Sequence, residues 1–259
     1  GLRFLRNVKN KGSQELAVRA RGLLMMSRFD EGIETISVRD AVLSDEKVTS
    51  DTYAEAAMSL MDADVEVRHK FISYWLENES PSDAMLACVF LNFAIVAGHK
   101  PVDLAELLPE DSFPLTRAWL HINTIVSENA EPDVDLIEST LNAEYEEAFD
   151  QALADLLGIS LLVDDLLDTE RSIEDWLNGL MDLVKEFTPQ QCAFFYDRTM
   201  GLKLAVAAEP EHSDLRVGIT RLRESILVKL PAEAIERVES MEGRLMQHFV
   251  VKHSLTDED

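Results

Sequence analysis

Three aspartates in the C-terminal half of the chain, Asp164, Asp165 and Asp168, have the residue type and spacing of a divalent-cation site. On a helix, Asp164 and Asp168 lie one turn apart on one face, with Asp165 to the side. Carboxylate oxygens are the ligands that Mg²⁺ prefers, and the ion would keep coordination positions for a diphosphate. The motif therefore predicts a magnesium site.

The same stretch, LLVDDLLD, also fits the solvent-facing side of an amphipathic helix. One apolar face would consist of Leu162, Val163, Leu166 and Leu167. Asp164 and Asp168 would point away from it. In a chain with 49 acidic residues such a triplet carries little specificity. The pattern leaves both interpretations open and favours the solvated face.

No other residue group has the spacing of a known catalytic or cofactor motif. The six histidines form no HxxxH or HExxH pair, and neither a GxSxG elbow nor a glycine-rich phosphate loop is present. Cys88 and Cys192 lie far apart without CxxC spacing, which predicts two reduced core thiols. No catalytic residue or cofactor is expected, with Mg²⁺ as the exception if the aspartates bind it.

Charge is distributed very unevenly along the chain. The formal net charge is −25, yet residues 1–28 hold seven Lys or Arg against one acidic residue, which leaves 17 basic and 48 acidic residues in the rest. Between Arg117 and Arg171 there are 14 acidic residues and no Lys or Arg. Such a body repels nucleic acid and anionic membranes, so a basic protein or another copy of the chain is the expected partner. Solubility or adaptation to high salt is the alternative. The residues expected on the acidic surface are Glu144, Glu146, Glu147, Asp150 and Asp155.

The N-terminal arm, residues 1–12, interleaves basic and apolar side chains. This pattern is typical of a segment that docks on an acidic protein surface, a membrane or nucleic acid. Because the body is strongly acidic, docking on another copy is favoured, and the alternative is an arm folded back on its own body. Nucleic-acid binding is expected only through residues 1–28. The predicted partner-binding residues of the arm are Arg3, Phe4, Arg6, Lys9 and Lys11.

Helical signals recur along the whole chain and predict an all-α fold of about eleven to twelve helices, as a multi-helix bundle or two helical lobes. The strand-like pieces are ETISV (34–38) and KLAVA (203–207). The longest uncharged run, residues 84–98, is shorter than the ~20 residues that span a bilayer, so we expect a buried helix in a cytoplasmic protein. The break AEPD at 130–133 separates the lobes. The predicted divisions are a basic arm (1–12), two helical lobes (13–129 and 133–251) and an acidic tail (252–259).

Two short resemblances accompany these patterns. Residues from about 20 to 110 carry Val38-Arg39-Asp40, a helix with Trp75 and the stretch PSDAMLACVFLNFAIVAGHKP. They resemble the C-terminal helical part of an actinobacterial and actinophage domain family of unknown function. This resemblance implies a bacterial or phage protein, located in the host cytoplasm or the virion, and carries no activity.

The second resemblance covers ADLLGISLLVDDLLDTE, residues 154–170. It is similar to the aspartate-rich segment of the all-helical polyprenyl diphosphate synthases, where the carboxylates bind Mg²⁺ and a diphosphate. The chain lacks the second upstream carboxylate cluster of that family. The favoured function is therefore a non-enzymatic helical interaction protein, an assembly, adaptor or regulatory factor, with nucleic-acid mimicry as its sharper form. The alternative is a Mg²⁺-dependent enzyme acting on a prenyl diphosphate.

Overall fold

The computed structural model is all-α, as the sequence predicts, and no strand occurs among the residues that it describes. The chain divides into two compact units, residues 1–130 and 131–259. The described residues are 50–58, 60–78, 80–128, 130–163, 166–167, 172–208, 213–230, 234–235 and 238–244.

The first unit is built around one helix that is buried on all sides. This central helix, α3 (Asp83–Ile95), is buried without interruption from Ala84 to Ala94, and none of these residues is charged. It packs against α1 (Ser50–Met58) and α5 (Pro114–Glu128). No described helix is long and apolar enough to cross a membrane. The helices of this unit are α1 (Ser50–Met58), α2 (Val65–Asn78), α3 (Asp83–Ile95), α4 (Pro101–Ala105) and α5 (Pro114–Glu128).

Aromatic side chains join α1 to α2 within the first unit. The rings of Tyr53 and Trp75 stack with centroids 6.2 Å apart and planes only 7° from parallel. Phe71 and Tyr74 complete the cluster, with Tyr74 lying 5.9 Å from Tyr53. Because each of these side chains removes a large apolar area from water, the cluster is a main source of stability for this unit.

The second unit is built around another apolar helix, α7 (Ala148–Val163), whose residues 152–159 are all buried. The longest of the described helices, α9 (Pro189–Ala208), packs closely along α10 (Ser213–Lys229). It includes KLAVA (203–207), so the expectation of a strand there is corrected: the run is part of a 20-residue helix. The elements are α6 (Val134–Leu141), α7 (Ala148–Val163), α8 (Ile173–Leu183), a 3₁₀ turn (Val184–Glu186), α9 (Pro189–Ala208) and α10 (Ser213–Lys229), and residues 238–244 are also helical.

A glycine sets the distance between α7 and α8. A Cβ added to Gly158 would lie 1.6 Å from Cζ3 of Trp176, whose ring fills the space that a side chain would need. Trp176 is buried, with 6% of its surface exposed. The two helices therefore approach closely because residue 158 has no side chain.

Candidate functional site

Exposed carboxylates crowd the first 17 residues of the second unit. All seven acidic residues between 131 and 147 face solvent, and no basic residue lies among them in the sequence. Val134, 57% exposed, sits within this group. We call the following set the acidic face: Glu131, Asp133, Asp135, Glu138, Glu144, Glu146 and Glu147.

Local hydrogen bonds fix the backbone beneath the acidic face. Asp133 caps α6 by accepting a hydrogen bond from the Leu136 backbone N–H at 3.1 Å. Within α6, the Thr140 hydroxyl donates to the Leu136 carbonyl at 2.7 Å. The Tyr145 hydroxyl then donates to the Thr140 carbonyl at 2.8 Å, which ties the following loop back to the helix. The exposed carboxylates therefore project from a backbone that these hydrogen bonds hold in place.

Two residues expected on the acidic surface lie deeper than the others. Asp150 is half-buried. Asp155 is only 5% exposed and accepts a hydrogen bond from the Gln151 amide at 3.0 Å, one turn earlier on α7. The expectation that Asp155 belongs to the solvent-facing set is therefore corrected, because this part of α7 is buried on every side. Glu144, Glu146 and Glu147 are exposed.

The aspartates of the predicted magnesium site, Asp164, Asp165 and Asp168, lie outside the described residues. Helix α7 ends at Val163, immediately before them. Leu166 and Leu167 are not helical, and Leu166 is 39% exposed. An apolar helical face continuing through these leucines, as the sequence suggested, is therefore not formed. No group of three or more His, Cys, Asp or Glu that could hold a metal ion occurs in the described part of the chain.

The basic arm also lies outside the described residues. Its predicted partner-binding residues, Arg3, Phe4, Arg6, Lys9 and Lys11, all belong to residues 1–49. The arm therefore stays a prediction from the sequence.

Three basic residues of the first unit, the buried Arg68 and His99 and the half-buried His69, form a cluster that their spacing in the sequence does not indicate. The rings of His69 and His99 lie 5.3 Å apart, and Phe93 stacks on His99 at 5.7 Å. Arg68 lies 5.9 Å from the Phe93 ring and donates to the Met61 carbonyl at 2.6 Å. Neither histidine Nε2 has a hydrogen-bond partner among the described residues. Histidines 30 positions apart in the chain show no spacing signal, so only the fold brings them together.

The same surroundings keep His99 neutral at physiological pH. Burial, followed by the positive charges of Arg68 and His69, lowers the pKa of His99 to about 4, while Asp103 acts in the opposite direction. A neutral imidazole next to an arginine avoids the cost of burying two adjacent positive charges. The cluster is therefore suited to packing near neutral pH and is sensitive to acid.

A buried arginine organises the polar contacts of the second unit. Arg223 donates to the Tyr196 carbonyl at 3.1 Å, to the Thr199 hydroxyl at 2.8 Å and to the Glu242 carboxylate at 3.1 Å. Its guanidinium lies 3.8 Å from the centroid of the Tyr196 ring. Glu242 also accepts from Lys203 at 2.9 Å. Burial alone would raise the pKa of Glu242, but the hydrogen bond from Lys203 and the charges of Arg223 and Lys203 outweigh it and lower the pKa. These contacts hold α9, α10 and residues 238–244 together, so the network stabilises the fold of the second unit.

Neither cysteine has the surroundings of a reactive thiol. Cys88 and Cys192 are both buried, and neither takes part in a disulfide. Burial raises the pKa of Cys192 to about 11, although the nearby Lys229 acts in the opposite direction. At neutral pH this sulfur stays protonated and is a poor nucleophile.

The sequence and the fold match no protein-family model, no curated protein and no solved structure.

Proposed function

We propose that this chain is a non-enzymatic helical interaction protein, an assembly, adaptor or regulatory factor, which binds a basic protein surface through its acidic face. The observation that carries this proposal is the exposure of all seven acidic residues between 131 and 147, a segment of the sequence that contains no Lys or Arg. A scaffold of hydrogen bonds around Thr140 holds the backbone that displays them. The bacterial or phage cytoplasm implied by the sequence resemblance belongs to the same proposal.

The acidic face acts mainly on association. Carboxylates concentrated on one surface attract basic partners over roughly one Debye length, about 8–10 Å near physiological salt, and accelerate encounter. Exposed charges contribute modestly to affinity one by one, so the contribution comes from the whole set. In its sharper form, the proposal is that these carboxylates take the place of phosphates and occupy a nucleic-acid-binding site on the partner.

Two classes of basic partner fit this surface, and a peptide experiment separates them. One probe is a fluorescent synthetic peptide with the sequence of residues 1–12, which represents the arm of another copy. The other is an unrelated arginine-rich peptide of the same net charge. Fluorescence anisotropy with the whole protein gives an affinity for each. Tighter binding of the arm peptide identifies self-recognition, whereas equal binding favours a basic partner of another kind.

The acidic face is tested by removing three of its charges in the variant Glu144→Gln/Glu146→Gln/Glu147→Gln. We expect the variant to bind the arginine-rich peptide about tenfold more weakly than the parent protein does. In the parent protein, the affinity for this peptide should fall steeply as the salt concentration rises. The matched control, Glu174→Gln/Glu186→Gln/Glu239→Gln, removes the same charge from exposed positions elsewhere in the second unit. Equal losses in both variants, or binding that is insensitive to salt, would contradict a localised binding face.

A further inference from the structure

Helix α10 has an exposed stripe that its neighbours leave uncovered. Leu215, Ile219, Leu222 and Ile226 are buried on one side of this helix. On the opposite side, Val228 is 87% exposed, the highest value among the large hydrophobic residues described, and Val217 is 51% exposed. The stripe consists of Val217, Arg221, Glu224 and Val228, all of them exposed.

The spacing of the stripe is that of a coiled-coil seam. Its members follow one another at intervals of four, three and four residues, so they lie along one side of the helix. Valines stand at both ends and an opposite-charge pair lies between them. From Val217 to Val228 the stripe measures about 16 Å along the helix axis, at ~1.5 Å per residue.

The order of the four residues allows the stripe to pair with an antiparallel copy of itself. When two copies of α10 run antiparallel about a two-fold axis at the midpoint of the stripe, Val217 faces Val228 of the second copy. Arg221 then faces Glu224 of the second copy, and each contact occurs twice, as an isologous interface requires. In a parallel pair, Arg221 would face another Arg221, so like charges disfavour that arrangement.

We propose that two copies of this chain associate through antiparallel pairing of their α10 stripes. Burial of the exposed valines favours association, and charge complementarity selects the antiparallel orientation. A single short helix pair covers less than the ~800 Å² per partner typical of stable complexes, so the dimer is weak and reversible. This interface is separate from the acidic face and does not depend on its function.

Sedimentation equilibrium of the whole protein, at about 5–500 µM and physiological salt, tests the pairing. We expect a monomer–dimer equilibrium. Val228→Glu should raise the dissociation constant at least tenfold, because it places a carboxylate against Val217 of the second copy. The control Val134→Glu adds the same charge at an exposed valine of α6 and should leave the equilibrium nearly unchanged. An unchanged unfolding midpoint shows that each variant is folded.

Charge reversal tests the orientation. Arg221→Glu alone or Glu224→Arg alone sets like charges against each other and should weaken the dimer. The double variant Arg221→Glu/Glu224→Arg restores opposite charges in reversed order and should recover it. A protein that is monomeric at every concentration, a dimer insensitive to Val228→Glu, or a double variant that fails to recover would each overturn the proposal.

Discussion

The contact between Gly158 and Trp176 is a single-residue constraint on two packed helices. Gly158→Ala would gain up to ~1 kcal/mol of helix propensity, but its Cβ would overlap the buried indole. Overpacking of a well-filled core costs about 1–3 kcal/mol, and this overlap involves ring atoms that cannot move aside easily. We expect a net loss of about 1–2 kcal/mol in the free energy of unfolding, measured by urea denaturation.

Gly201 is the matched control for this substitution. It also lies inside a helix, α9, and an added Cβ would meet no atom within 4 Å. Gly201→Ala should therefore stabilise the protein by up to ~1 kcal/mol. If both alanines stabilised the protein alike, the indole of Trp176 would not fill the space next to residue 158.

The buried His99 makes the first unit sensitive to acid. Its pKa is about 4 in the folded protein, well below the ordinary value of 6.5, so the unfolded chain binds the proton more readily. The contribution of the neutral His99 to the free energy of unfolding is therefore complete above pH 6.5. It is lost as the pH falls towards 4. Between pH 7 and pH 5 we expect a loss of about 1–2 kcal/mol.

His99→Gln isolates this effect because most carboxylates titrate below pH 5. The variant is less stable at pH 7, since it loses the stacking on Phe93, but its stability should change less between pH 7 and pH 5. Urea denaturation at several pH values gives both slopes. Parallel slopes in the two proteins would show that another group causes the acid sensitivity.

At the scale of single residues, the sequence predicts surface charge better than it predicts burial. Exposure of Glu144, Glu146 and Glu147 follows from their charge, because an ionised carboxylate is costly to bury without a partner. Burial of Asp155 does not, because it depends on the surrounding of α7 by other helices, which one-dimensional periodicity does not encode. The contact between His69 and His99 is not predictable from the sequence for the same reason, because it depends on the packing of separate segments.

Among the elements, α5 depends on a cap from another helix. Asp83, the first residue of α3, accepts hydrogen bonds from the backbone N–H groups of Leu115 and Thr116, both at 2.8 Å, and from the Thr116 hydroxyl at 2.6 Å. Burial raises the pKa of Asp83, while these bonds oppose the rise. The carboxylate thus satisfies donors at the start of α5 and fixes α3 against it.

Asp83→Ala should lower the free energy of unfolding by about 2–3 kcal/mol, because it leaves part-buried donors without a partner. Asp83→Asn keeps one acceptor oxygen and should cost less. Ser82→Ala is the neighbouring control, since Ser82 caps only its own helix through the Met85 N–H at 3.2 Å and should cost about 1 kcal/mol. A loss at Asp83 no greater than that at Ser82 would argue against its inter-helix role.

Helix starts were predictable where capping is local. Ser82 and Thr188 are capping residue types next to the helices that they start, and the structure shows both caps, with Thr188 and Gln191 forming a reciprocal pair of hydrogen bonds. The helix-favouring residues AEYEE at 143–147 would place the start of α7 near residue 143, but it lies at Ala148, because these residues form the loop tied to Thr140 by Tyr145. Caps between helices, such as that of Asp83, have no local signal.

For the whole molecule, the dominant feature is a net charge of −25 on an all-α fold. The sequence predicts the fold class because the scarcity of glycine and proline and the recurring helical period are properties of the entire chain. Net charge does not select a fold, and its consequences concern solubility, association and the response to salt.

The response of stability to salt reveals which electrostatic effect prevails. Repulsion among the carboxylates destabilises the compact state, and added salt screens it. We expect the thermal unfolding midpoint to rise by about 2–5 °C between low salt and roughly 0.3 M NaCl. Differential scanning calorimetry of the whole protein measures this shift.

The two charge variants locate the source of this repulsion. If repulsion is concentrated in the acidic face, Glu144→Gln/Glu146→Gln/Glu147→Gln should show a smaller rise with salt than Glu174→Gln/Glu186→Gln/Glu239→Gln, although both lose three charges. A midpoint that falls with salt would mean that attractive ion pairs outweigh repulsion. Attraction between the basic arm and its own acidic body would produce that fall, and it would leave less of the acidic surface accessible to a partner.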